Sequence, residues 1–314
     1  MKKNIYNLLT ILLLLLILSS ILIYSQETLK SVLFAFNIWK ENIFPSLFPF
    51  FIISDLLMNY GFVNILGELT KKIMNKLFYL PGEASFVIIA SMLSGFPSSA
   101  KFVKSLLEEQ KINTEEAEYL LSFTHFSNPL FVIGVIGSTM LKSKKLGFII
   151  LFCHIISNFI IAIVIRKKRE VDTSTINIDK LFTINSNKSF IQVLTSSITK
   201  TINTLILLLG IVTTFLVLST LISNLINLND FTRAVISGIL EMTQGIKYIS
   251  VVNIPLYLKA TIMAMFISFG GISIHLQVMS ILSDTQVKYK NYFISRVAHA
   301  SLAGVLVLIL TKLF

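Results

Sequence analysis

The chain is poor in cysteine, in charge and in acidic residues, and each shortage removes a class of protein. A single cysteine in 314 residues, Cys153, set in an apolar run, leaves neither a disulfide framework nor a cysteine metal cluster. Charged residues make up 14% and hydrophobic ones 54%, a balance that cannot wet the surface of a soluble globule. The chain therefore reads as a membrane protein. Its 27 basic residues against 16 acidic ones give +11, yet the lysines and arginines lie between apolar runs, which fits topology and argues against nucleic acid as a partner. No HExxH, GxSxG or P-loop pattern occurs, so an enzyme is not expected, and neither is a metal or other cofactor.

The long apolar runs come next. Residues 5–24 follow Lys2 and Lys3 and match the ~20 residues that cross a ~30 Å hydrocarbon core. The length of this run, and the lack of a small-x-small site in "YSQET", favour an anchoring span over a cleaved signal peptide. Residues 25–42, with Glu27, Lys30, Trp39 and Lys40, suit the headgroup region, so 1–42 forms an amino-terminal anchor and interfacial segment. Further spans are expected at 43–67, 115–141, 146–165, 201–223, 255–282 and 292–313, making about seven. Two stretches are too short or too polar to cross, "ASFVIIASMLSGFPSSAKFVKSLLEE" and "FTRAVISGILEMTQGIKYISVV", and read as re-entrant hairpins. The fold class is all-α and polytopic.

A polar linker over 166–189 divides two halves, 43–165 and 190–314. Ser94-Gly95 precedes Ser122-Phe123 by 28 residues and Ser237-Gly238 precedes Ser268-Phe269 by 31, while a histidine follows each serine after 32 (His154) or 31 (His299) residues. With the amino terminus inside, 18 of the 27 basic residues fall on the cytoplasmic side; "LKSKK" at 141–145 is the exception. The hairpins then enter from opposite faces and the halves are inverted repeats.

The stretch "SFTHFSNPLF", residues 122–131, breaks a span with polar residues and a proline. Such a break survives in a bilayer only beside protein or a water-filled cavity, and paired broken helices in inverted repeats are a recurrent transporter design. The expected cavity lining comprises Ser94, Ser98, Ser99 and Lys101 of the first hairpin and Ser122, His125, Ser127 and Asn128 of the first break. The second half contributes Glu241, Thr243 and Gln244 of the second hairpin and Ser268, Gly270, Gly271, Ser273, His275 and Gln277 of the second break. A carboxylate at Glu241 costs about 2.5–3.5 kcal/mol at mid-bilayer, so it needs a reason: a coupling ion or a solute contact is the preferred one, and a structural pair with a lysine is the alternative. Lys101 is expected either to snorkel to the surface or to meet solute. His154 and His299 read as helix-packing groups, and Asp55 and Glu68 as near-interface residues.

The runs "FPSLFPFF", "SGFPSSAK", "LLSFTHFSNPLFVIGVIG", "LEMTQG" and "SFGGISIHLQV" together resemble the YlbJ family of sporulation integral membrane proteins, whose members carry duplicated nucleoside-recognition (Gate) domains related to concentrative nucleoside transporters. The resemblance implies a multi-pass protein of the bacterial cell membrane, around the forespore on the mother-cell side. It also implies movement of dipicolinic acid or a similar small anion; a nucleoside is the alternative solute. A non-transporting scaffold or signalling role in cortex or coat assembly is the alternative of a different class. The lipid bilayer is the expected partner, and self-association into a homo-oligomer is left open.

Overall fold

The computed structural model describes residues 2–168, 189–226 and 228–313, and among them every regular element is a helix. In hydrocarbon each backbone donor and acceptor must be satisfied inside its own segment, which leaves helices as the solution for apolar runs of this kind. Most of the expected linker, including Arg169, Lys180 and Lys188, lies outside the described residues.

Helix α1 (Lys2–Ile23) stands at the periphery, exposing leucine on nearly every face. The interfacial segment expected at 25–42 is corrected: α2 (Ser25–Ile38), a π-helical turn (Trp39–Ile43) and α3 (Phe44–Asn59) follow one another without a gap, and Ser25–Asn59 is long and apolar enough to cross. Pro45 lacks the N–H that an α-helical turn would use, and the wider π turn just before it accommodates the ring without ending the helix. The span expected at 43–67 thus ends at Asn59. A left-handed Gly61 starts the separate, amphipathic α4 (Phe62–Phe78).

The first hairpin is α5 (Ala84–Ser94) and α6 (Ser98–Glu108). The third span is interrupted as expected: α7 (Thr114–Phe123), started by a reciprocal Asn113–Glu116 capping box, gives way to an irregular stretch before the π-helical Phe131–Met140. α8 (Lys144–Ile165) completes this half. The second half comprises α9 (Phe190–Leu225), a hairpin of α10 (Asp230–Leu240) and α11 (Met242–Val251), a span broken between α12 (Leu256–Phe269) and α13 (Gly271–Ile281), and α14 (Tyr289–Leu313). Six helical stretches among the described residues are long and apolar enough to cross a bilayer, and shorter apolar helices, Ala84–Ser94 and Phe131–Met140, accompany them. The molecule is a polytopic membrane protein.

Hydrogen bonds at the helix ends fix which ends lie together. The 25–59 helix runs antiparallel to α9, tied by Tyr24 Oη to Asn224 O (3.4 Å), Ser31 to Thr220 (2.7 Å) and Trp39 Nε1 to Leu205 O (2.9 Å). Lys104 of the first hairpin bonds Asp284 at 2.7 Å, just past the end of α13. Lys259 at the start of α12 bonds Ser250 O of the second hairpin at 2.7 Å. The two hairpins therefore open at opposite ends of the same broken span.

Candidate functional site

Four interruptions converge at the middle of the molecule. At the first hairpin tip, Gly95 (φ 85°) lies so near the first break that a Cβ on it would stand 2.7 Å from Asn128 N. At the second, Gly271 (φ 69°) faces the tip of its own hairpin, and a Cβ there would stand 3.0 Å from Met242 N. Gly270 (φ 89°) in turn faces the ring of His125, 2.8 Å from such a Cβ to Cε1. Positive φ and contact with a neighbouring backbone or ring both call for glycine at these places.

Beside them lies a cavity of about 1020 Å³. Its wall takes Ser94 and Gly95 from the first hairpin tip, Ser127 and Asn128 from the first break, Glu241 and Thr243 from the second tip, and Gln277 from α13. Phe96, Pro97, Pro129, Phe131 and Met242 make much of the rest apolar, as solute pockets usually are. Of the residues expected at the site, Ser94, Ser127, Asn128, Glu241, Thr243 and Gln277 line this space.

Each polar wall residue has a local reason for its place. Ser94 Oγ lies 2.7 Å from Ala90 O and 2.6 Å from Ser98 Oγ, and Ser98 donates to Gly95 O, so hydroxyls close the turn of the first hairpin. Asn128 Oδ1 accepts from Leu130 N (2.8 Å) while its amide donates to Ser46 Oγ (2.8 Å), pinning the break to α3. Glu241 is the N-cap of α11, accepting from Gln244 N (2.9 Å) and from Thr243 Oγ1 (2.5 Å). A carboxylate there meets the positive end of the helix dipole. No ion pair to Glu241 is found among the described residues, so the lysine partner that would make it purely structural is not the arrangement adopted.

Other expected residues sit behind the wall or apart from it. His125, Ser268, Gly270 and Gly271 pack where the two breaks meet; Gln244 bonds Thr220 (3.2 Å) and Tyr248 (3.1 Å); Ser122 hydrogen-bonds within α7. Ser99 and Ser273 are buried away from the cavity, and His275 Nδ1 pairs with Tyr289 Oη (2.8 Å). Lys101 neither snorkels nor faces the cavity. Its ammonium is buried 3.2 Å from Asp55, over the Phe51 ring (4.3 Å) and beside Thr201 (3.5 Å). Asp55 is accordingly a core residue, not a near-interface one.

All four histidines of the chain belong to one buried network. His154 Nε2 accepts from Ser127 N (3.0 Å) in the first break, and its Nδ1 meets Ser268 Oγ (2.9 Å) at the edge of the second. His299 Nε2 donates to His154 O (2.8 Å). This matches the packing role read for His154 and His299, with one addition: the packing joins the two breaks. Sequence reading missed Asn37, Glu41 and Asn42 of the 25–43 segment and Lys247 of α11, all in the cavity wall. The i, i+4 spacing of Asn37 with Glu41 and of Thr243 with Lys247 was the available signal.

Residues 41–166 match the Gate family model, described as nucleoside recognition. That segment is similar to the Gate family over about two fifths of the chain. Beyond that segment, the chain is similar along most of its length to the sporulation integral membrane protein YlbJ of Bacillus subtilis strain 168, with 29% identity over 327 aligned positions, covering 94% of this chain and 80% of that protein. No solved structure matches the chain. The Gate segment begins in the π turn before Pro45 and ends at Arg166, and so contains the first hairpin and the first break.

Proposed function

We propose that this protein is a transporter built from two inverted halves, 43–165 and 190–314, which moves a small solute through the central cavity by alternating access. The observation that carries the reading is the meeting of both hairpin tips and both broken spans at one cavity. Discontinuous helices facing a common space are what a midplane binding site needs, because the freed backbone groups and the polar side chains beside them can exchange partners with a solute. Similarity to a sporulation integral membrane protein supports a role in endospore formation, and the membrane around the forespore is the place this proposal gives it.

The solute we propose is dipicolinic acid or a similar small planar acid, with Lys247 as its cationic contact and the amides and hydroxyls of Asn128, Thr243 and Gln277 as its hydrogen-bonding ones. A nucleoside-like solute is the second reading. It is favoured by Glu41 and Glu241, two carboxylates in a wall with one lysine, and by the description of the Gate family. Uptake of labelled dipicolinate and of labelled uridine into proteoliposomes separates them. Saturable uptake of one, abolished in folded Asn128→Ala and Glu241→Gln variants, is the expected result. Uptake of neither, with retained binding to other spore-forming proteins, would leave a membrane scaffold as the better account.

A further inference from the structure

Arg296, on α14, is the largest fully buried side chain, and no carboxylate pairs with it among the described residues. Its guanidinium donates to the carbonyl of Ser122, donates through both terminal nitrogens to Asn158 Oδ1 (3.3 and 3.4 Å), and lies 2.8 Å from His299 Nδ1. His299 gives its Nε2 hydrogen to His154 O, so the imidazole is neutral and its Nδ1 offers a lone pair to Arg296. Asn158 turns its amide to the carbonyl of His125, inside the break, at 2.7 Å. Every polar partner of the guanidinium is thus an uncharged acceptor.

An isolated cation this deep is costly unless something supplies negative potential. Ser122 belongs to the last turn of α7, where carbonyls lose their intrahelical partners and the dipole of the helix sums to about half a negative charge. Carbonyl ends of this sort coordinate the coupling ion in transporters with broken helices. In the second half a carbonyl of the last turn before the break, Phe269 O, meets a side chain of the protein, His275 Nε2, at 3.0 Å.

The geometry points to Arg296 as a tethered cation that fills, at the first break, the place a free metal ion would take. The fork of the guanidinium suits this role, since it serves the α7 carbonyl and the Asn158 amide oxygen at once. Two consequences follow. The wild-type protein needs no Na⁺ to hold this break, and removing the side chain leaves an electronegative hole of guanidinium shape.

Thermal unfolding of the purified full-length protein in detergent tests both, without requiring that the cavity conduct anything. The midpoint of the wild type is expected to be the same in sodium, potassium and choline chloride at equal ionic strength. A sodium-specific upward shift would overturn the assignment. Arg296→Ala is expected to unfold at lower temperature and to recover by a few degrees in low-millimolar methylguanidinium, which leaves the wild type unmoved. A folded Arg296→Ala variant that keeps the wild-type midpoint, or that methylguanidinium does not stabilise, refutes the role. Should Arg296→Ala fail to fold, Arg296→Lys is measured instead: it retains a charge without the fork, and a midpoint equal to wild type would refute the need for the guanidinium. The salt comparison on the wild type stands in either case.

Discussion

Lys101 and Asp55 lie 46 residues apart in the chain and 3.2 Å apart in space. Neither residue type nor position reveals such a pair, since the lysine sits in a hairpin arm near the cytoplasmic end and the aspartate in an apolar helix, each with a plausible surface role of its own. The fold removes both from water, and their attraction then depends on keeping both. Lys101→Ala strands the carboxylate, and a loss of about 3–5 kcal/mol is expected in denaturant unfolding. Replacing both residues with apolar ones of similar volume, Lys101→Met with Asp55→Leu, is expected to restore most of that loss. A double variant as weak as Lys101→Ala alone would mean that the pair does not account for the cost. Glu241 is the opposite case. A carboxylate next to a predicted hairpin tip was visible in the sequence as an anomaly, and its place in the cavity wall answers to that visibility.

Among the elements, the interruptions were readable because their causes are local. Proline, paired glycines and clustered small polar residues stop a helix wherever they occur, so "SGFPSSAK", "SFTHFSNPLF" and "SFGG" marked three of the four bends. The exact tip of the second hairpin was not so marked. Ser237-Gly238, aligned with the first tip by spacing, lies inside α10 a turn before the bend at Glu241. Measured between bends, the halves agree better: Phe96 to Phe126 is 30 residues and Glu241 to Gly270 is 29. The continuous 25–59 helix was obscured for the converse reason. Pro45 and Trp39 looked like a break and an interface anchor, while the π turn and the bond from Trp39 to Leu205 O, 166 residues away, keep the helix whole. Tip against break is the contact that matters to the site. Gly95→Ala and Gly271→Ala should each cost about 1–3 kcal/mol in backbone strain and abolish solute uptake. Gly134→Ala, with nothing within 4 Å of the added Cβ, should behave as wild type in both measurements. Equal behaviour of all three would show that the close approach is dispensable.

At the scale of the whole molecule, the end-to-end bonds and the charge count agree. Arg166 donates to Leu77 O (3.0 Å), Glu118 accepts from Lys288 N (3.0 Å) and Asn291 (2.7 Å), and Lys104 meets Asp284 (2.7 Å), all joining segments that the lysine and arginine bias puts in the cytoplasm. Tyr24 with Asn224 and Lys259 with Ser250 join segments assigned to the other side. The count departs from the packing at Lys101 and Arg296, two of the 18 basic residues assigned to the cytoplasmic side, which the fold buries against Asp55 and at the first break. On the proposed transport function, the cavity framed by the two hairpins would open to one side or the other by movement of one tip away from its break, and that supplies the final test. Cys153 is fully buried, so the native chain is expected to be silent toward aqueous thiol reagents and to serve as background. Single cysteines at Asn128 and Thr243, both in the cavity wall, are expected to label from water, and saturating solute should protect them. A cysteine at His125, packed between the breaks and 1% exposed, should stay unlabelled. Reaction at His125 with silence at Asn128 and Thr243 would place the aqueous route elsewhere, because a broken helix in lipid needs water or solute on the side where its polar groups are exposed.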